Sequence, residues 1–412
     1  MKLLTVGDIA RVINDPSEEG AQFDQIIELR GRVEPRLGTY TADTDRRWAV
    51  DRAIKAVWAI LVKVLMHGDV EEVEAAHGIG HWTRDFAHML RLAEDAIVPE
   101  DVIVPALVGG TLHDIGSVFV DRYAEKNRAV RHAEAGALVV RAAALETGAL
   151  TEAEADLVAY VIAAHTHYLQ PQEVKCADGV VRTVRPYTDM FDGKPVEEVW
   201  LARWADRLDV NGPCFPARHY LTLVRDHYDY GTEGFYKTSF TETMRPLLRT
   251  GEAIKAAGGQ RTMLEHLKMF ASSQTSESVY GKHDAGVMLT LRDAYREQLE
   301  HIIHSVAHPT DVDIARVLKA WTVFLGANIE PTVKGRMAAH NLALGFRKLE
   351  PDIQRAWACG FRTIMTEYLG WADRMLVFLD GRPAESLRIT GNFEDIRNVI
   401  RPDRAWVKVL AG

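Results

Sequence analysis

The chain has 412 residues, 47% of them hydrophobic, and a formal net charge of −9, so it holds enough apolar side chain for a substantial core or for two or three domains. The acidic balance argues against a protein built to coat nucleic acid or anionic lipid, while leaving room for a small anionic substrate met by local basic residues. Three widely spaced cysteines, Cys176, Cys214 and Cys359, form no CxxC pair, which disfavours a disulfide framework or thiolate zinc site and suits a reducing cytoplasm.

The opening stretch MKLLTVGDIARVINDPSEEG carries acidic residues where the apolar core of a secretory signal would continue, so no such signal is expected there. Residues 1–50 read as one or two charged helices with a loop around Leu37-Gly38-Thr39. The most apolar helical run, Ala53 to Met66, includes Lys55 and Lys63 and is shorter than the roughly 20 apolar residues a membrane span needs. Helical periodicity continues to about Tyr230. Within it, apolar Pro105–Val108 leads into Gly109-Gly110, a pair that permits close helix approach, and then into His113-Asp114.

Thr151-Glu152-Ala153-Glu154 is a capping box preceded by Gly148 as the stop of the previous helix. Val158, Ile162 and His165 follow at i, i+4 and i+7, which puts His165 on the apolar face. Val174 to Val184 breaks the helical rule: two short runs flank Asp178-Gly179, predicting a tight hairpin that is either a flap beside the site or a surface ornament. In the helix predicted over Val196–Leu208, Val199, Ala202 and Asp206 share one stripe, and an acid on an inward stripe calls for a partner. Gly231 to Gly259 reads as a connection, followed by a second helical block with patterns over Met288–Val306 and Asp311–Leu325. The prediction is an all-α protein with a small β-hairpin insertion: an N-terminal extension over 1–50, a metal-binding domain over 51–230 and a C-terminal helical region over 231–412.

His81, His113, Asp114, His132, His165 and Asp206 are imidazoles and carboxylates, the ligand types that hold divalent iron, manganese, zinc or magnesium. Facing one another from several helices, they would hold one or two ions. Adjacent His113 and Asp114 point about 100° apart on a helix, so both can reach one ion, or Asp114 can bridge two. Four of them have a plainer alternative. His77 competes with His81, His167 competes with His165, His132 can pair with Glu134 or Glu154, and Asp206 can pair with Arg203 or Arg207 on its own helix. A second His-Asp dipeptide, His283-Asp284, lies in a polar stretch with no such array around it.

Five short pieces in order resemble the HD-domain superfamily of metal-dependent hydrolases. They are His77-Gly78-Ile79-Gly80-His81-Trp82-Thr83-Arg84, Leu112-His113-Asp114-Ile115-Gly116, Arg131-His132-Ala133-Glu134-Ala135-Gly136, Val161 to His165, and Ala205-Asp206-Arg207-Leu208-Asp209. The resemblance covers roughly residues 75–212 and implies a compact all-α core. It assigns His81, His113, Asp114 and Asp206 to the core metal set and His132 and His165 to the pair found in two-metal members. Ser117 replaces a lysine that often follows the motif, the stretch after His165 lacks the GYP signature of the cyclic di-GMP branch, and Asp85 stands where an apolar residue is usual.

The expected activity is hydrolysis of a nucleotide or other small phosphate ester by a metal-activated water, with Asp114 as the catalytic carboxylate. The basic residues Arg84, Arg122, Lys126, Arg128 and Arg131 lie near ligand positions in the sequence. Arg84, Lys126, Arg131 and His167 are the candidates for binding a phosphorylated substrate. Two alternatives keep the same residues: a di-iron oxygenase using dioxygen, and a nucleotide-sensing module with a vestigial site. The aromatics Tyr220, Tyr228, Tyr230, Phe235 and Tyr236 beyond Asp206 are core by default, with a base-stacking wall as the other use. The C-terminal helices offer a surface for self-association, and His301, His304, His308 and His340 within them read as surface or core residues.

Overall fold

Capping chemistry sets the first helix boundary. Thr5 Oγ1 accepts from the Asp8 N–H while the Asp8 carboxylate accepts from the Thr5 N–H, opening α1 (Val6–Val12). The computed structural model describes residues 5–39, 46–68, 77–95, 100–120, 128–166, 171–188, 190–191, 194–218, 220–221, 268, 286–380 and 402–411. The helices that follow are α2 (Glu19–Val33), α3 (Arg46–Leu65), α4 (Ile79–Asp95), α5 (Glu100–Thr111), α6 (Arg128–Thr147), α7 (Glu152–Ala164) and α8 (Glu197–Asn211). The predicted capping box starts α7, with Thr151 and Glu154 exchanging both bonds. Gly148 ends α6 at φ +63°, a left-handed conformation that glycine adopts without a Cβ penalty.

Two helices form the centre because they are apolar all round. Every residue of α7 from Ala155 to Ala164 is buried, and so is α5 from Val102 onward, the pattern of a helix enclosed on every side. α5 packs against α3, α4, α7 and α8, and α7 against α6 and α2. The Gly109-Gly110 pair makes this possible. A Cβ on Gly109 would lie 2.8 Å from Val161 Cγ1, and one on Gly110 would lie 2.1 Å from Met89 Sδ. The N-terminal helices also join this body, α1 on α6 and α2 on α6 and α7.

The predicted hairpin is present, with β1 (Glu173–Lys175) antiparallel to β2 (Val181–Thr183) and Val174 opposite Arg182. Gly179 turns the chain at φ +81°. The hairpin is docked on α2: Asp24 Oδ2 accepts from the Ala177 N–H at 2.9 Å, and Arg30 donates to the Val184 and Pro186 carbonyls. A second, two-residue pairing joins β3 (Met190–Phe191) to β4 (Lys194–Pro195), too short to leave a periodic signal in the sequence.

The C-terminal region contributes α9 (Gly286–Ala307), α10 (Ile314–Phe324), a π-helical turn (Leu325–Ile329), α11 (Val333–Phe346), α12 (Pro351–Asp380) and α13 (Ala405–Ala411). Its core is aromatic. Trp321 stacks on Phe361 at 4.3 Å between centroids, and Tyr220 packs edge-on to Trp321, Trp357 and Phe361, so Tyr220 is a core residue. Tyr228, Tyr230, Phe235 and Tyr236 lie outside the described residues, as does His283-Asp284. α9 packs on α8 and α4, and the π-turn on α4. Apolar side chains from α1 to α13 form one contiguous core. Among the described residues, no helix is long and apolar enough to cross a membrane.

Candidate metal centre

The six sequence-predicted ligands converge, and they come mostly from helix ends. His81 is the third residue of α4, His165 caps the C-terminus of α7, and His132 and Asp206 lie within α6 and α8. His113-Asp114 is not on a helical face but in the turn between α5 and a 3₁₀ turn, Ile115–Val118. All six are buried.

Asp114 divides the cluster in two. Its Oδ2 lies 3.3 Å from His81 Nε2 and 3.2 Å from His113 Nε2, while its Oδ1 lies 3.2 Å from His132 Nε2 and 3.6 Å from His165 Nε2. Asp206 Oδ1 closes the first group, 3.7 Å from His81 Nε2 and 3.9 Å from His113 Nε2. The Nε2 atoms of His81 and His113 are 3.3 Å apart, and those of His132 and His165 are 3.0 Å apart. A cation bound at about 2.1 Å separates neighbouring ligand atoms by about 3.0 Å. The spacing within the cluster is compatible with one or two divalent cations.

The far side of three imidazoles is anchored. His113 Nδ1 faces the Gly110 carbonyl at 2.7 Å, His165 Nδ1 faces the Ile162 carbonyl at 2.6 Å, and His81 Nδ1 faces Asp209 Oδ2 at 2.8 Å. A proton placed on Nδ1 by these acceptors leaves the Nε2 lone pair directed into the cluster, as a metal ligand requires. Asp209 is itself held by two buried arginines, Arg84 Nε at 2.7 Å and Arg218 at 2.5 Å.

Titration behaviour follows from burial and charge. Burial and the positive Arg218 lower His81, and burial pushes His165 down to about 4, so both are neutral imidazoles. Burial also acts to lower His113, but the neighbouring carboxylates of Asp114, Asp206 and Asp85 outweigh it and raise the group to about 10, so a cation would bind its Nε2 in place of a proton. Desolvation opposes ionisation of Asp114, yet His113 and His77 hold its carboxyl well below the usual range. Asp206 is likewise lowered, with Arg207 at 2.9 Å from its Oδ2 outweighing burial.

Several of the competing side chains have contacts of their own. His77 stands edge-on to His81 with ring centroids 6.2 Å apart. Glu134 is engaged by Arg185 and Tyr187, and Glu154 by Arg52 and Thr151. Asp206 does pair with Arg207, but through its other oxygen.

Arg84 and Arg131, both expected to meet substrate, are engaged by protein groups. Arg84 is fully enclosed on Asp209 and the Ile329 carbonyl, which hold it against α8 and the π-turn. Arg131 donates to the Ile13 carbonyl and to Gln22 Oε1, tying α6 to the N-terminal helices. Lys126, His167 and Arg122 lie outside the described residues, as does the side chain of Arg128. His301, His304, His308 and His340 are exposed.

Three residues were not recognised as site residues in the sequence. Asp85 and Asp209 have a local signal, since they recur four residues after His81 and three after Asp206 on the same helices. Arg218 has none, because its role depends on the chain folding back onto α8. The turn after Asp114 is also tightly fitted, since a Cβ on Gly116 would lie 2.0 Å from the His132 carbonyl oxygen. Gly116→Ala is expected to lower stability by about 1–3 kcal/mol and to displace His132. An unchanged thermal midpoint in a melting experiment would show that the turn has room to spare.

The arrangement is a buried His/Asp cluster in a helical core, capable of holding one or two divalent cations. No model of a known protein family, no curated protein and no solved structure matches the chain significantly.

Proposed function

We propose that the chain is an HD-type phosphohydrolase that cleaves a nucleotide or other small phosphate ester with two divalent cations. The observation that carries this is Asp114, whose two oxygens face two separate pairs of imidazole Nε2 atoms. When bound, the cations lower the pKa of a water to supply a nucleophile near neutral pH, and they neutralise phosphoryl oxygens as charge builds. His81, His113, Asp114 and Asp206 would hold the first cation, and His132, His165 and Asp114 the second. The Nδ1 contacts to Gly110, Ile162 and Asp209 keep the imidazoles oriented through turnover. Lys126 and His167 stand in the sequence just before α6 and just after α7, the helices carrying His132 and His165. They are the proposed contacts to the substrate phosphate.

The test is elemental analysis of the purified protein together with phosphate release from a panel of nucleotides and simple phosphate esters. About two manganese or magnesium ions per chain and chelator-sensitive hydrolysis are expected. Two irons with oxygen uptake and no phosphate release would instead establish the di-iron oxygenase, which shares these ligands. A protein that binds no cation would leave only a sensing role.

A further inference from the structure

Asp85 has no part in the ligand set above, yet it is fully buried one helical turn after His81. Neither of its oxygens has a hydrogen-bond partner among the described residues. Asp85 lies at the edge of the cluster: its Oδ2 is 3.1 Å from His81 Nε2 and 3.6 Å from His113 Nδ1, the nitrogen that also faces the Gly110 carbonyl. One of its oxygens falls within 4.8 Å of ligand atoms from His81, His113 and Asp206 together. The nearby arginines do not neutralise it by contact, since Arg84 and Arg218 place their guanidinium groups on Asp209. An ionised carboxylate in such surroundings costs several kcal/mol unless a charge of opposite sign meets it.

We propose that Asp85 is a further protein ligand to the cation held by His81, His113, Asp114 and Asp206. This rests on the two-cation reading above and makes the two positions chemically unequal. The first offers three carboxylates and two imidazoles, whereas the second offers two imidazoles and the shared Asp114. Oxygen-rich surroundings favour hard cations such as manganese and magnesium, and nitrogen-rich surroundings favour softer ones. The Asp85 position is thus the tighter manganese site of the pair.

The experiment is equilibrium binding of manganese to the full-length protein, reading free ion by paramagnetic resonance. Wild type is expected to bind two ions. Asp85→Asn weakens one of them by about 100-fold and leaves the other, while His132→Ala does the reverse. Asp85→Leu is expected to show the same loss as Asp85→Asn and covers the case of an asparagine oxygen substituting as ligand.

A second readout separates ligation from packing. In chelator, Asp85→Asn is expected to unfold at or above the wild-type temperature, because a buried acid has been neutralised, while the manganese-induced rise in that temperature shrinks. Manganese affinity within twofold of wild type in both variants overturns the role of Asp85 alone. Absence of tight manganese binding in wild type overturns this proposal and the two-cation reading together.

Discussion

Asp114→Asn is expected to empty both cation positions and to lower phosphate-ester hydrolysis by about 10³-fold, with the fold intact. The carboxylate is buried and offers one oxygen to each group of imidazoles. An amide retains only one oxygen and presents an N–H₂ donor to the other group, where it repels a cation. Neutralising the side chain also removes a full negative charge from a site meant to balance two divalent ions. The shape is nearly unchanged, and the backbone turn held by the Ile115 N–H to Leu112 carbonyl and Ser117 N–H to Asp114 carbonyl bonds does not depend on the side chain. Far-UV circular dichroism like that of wild type should therefore accompany the loss. Elemental analysis and initial rates are the measurements, and two ions per chain or a wild-type rate in the variant would refute the bridging role.

Asp209→Ala is expected to be the most destabilising single change around the centre, by about 3–5 kcal/mol. Asp209 is fully buried and answers two buried guanidinium groups at once, besides His81 Nδ1. Removing it leaves Arg84 and Arg218 as uncompensated charges in the interior, where even one such group is costly. Asp209→Asn keeps an acceptor toward one arginine and is expected to lose less stability. It should still weaken metal binding by about 10–100-fold, because His81 loses its carboxylate partner. Urea unfolding in chelator isolates the stability term from metal binding. A loss below about 1 kcal/mol for the alanine variant would mean that water or rearranged side chains replace Asp209. Because Arg84 also donates to the Ile329 carbonyl, the same change should loosen the π-turn against α4 and thereby the contact with the C-terminal helices.

The correspondence between sequence and structure differs by kind of feature. The Thr151 capping box, the Gly148 stop and the Asp178-Gly179 hairpin are local, since each depends on bonds between residues a few positions apart, and each is found where it was expected. His165 and Asp206 were placed inward by the apolar stripes that precede them, and both are buried. The division into three regions has no such local basis, and side chains from all three share one apolar core. Arg84 was misassigned for a related reason. Five residues of helix carry His81, Arg84 and Asp85 around the same side, and spacing alone does not say which of them meets a cation and which meets a counter-ion.

Ligand chemistry, helical class and turn positions were thus determined by the sequence itself, because they depend on side-chain type and on contacts within a few residues. Only the tertiary structure decided that Asp114 stands between two pairs of imidazoles and that Asp209 belongs to Arg84 and Arg218. It also decided that the hairpin rests on α2 and that Asp85 is buried beside His81 Nε2. Those outcomes depend on which distant helices meet, a choice set by the shape of the whole apolar core rather than by any one segment.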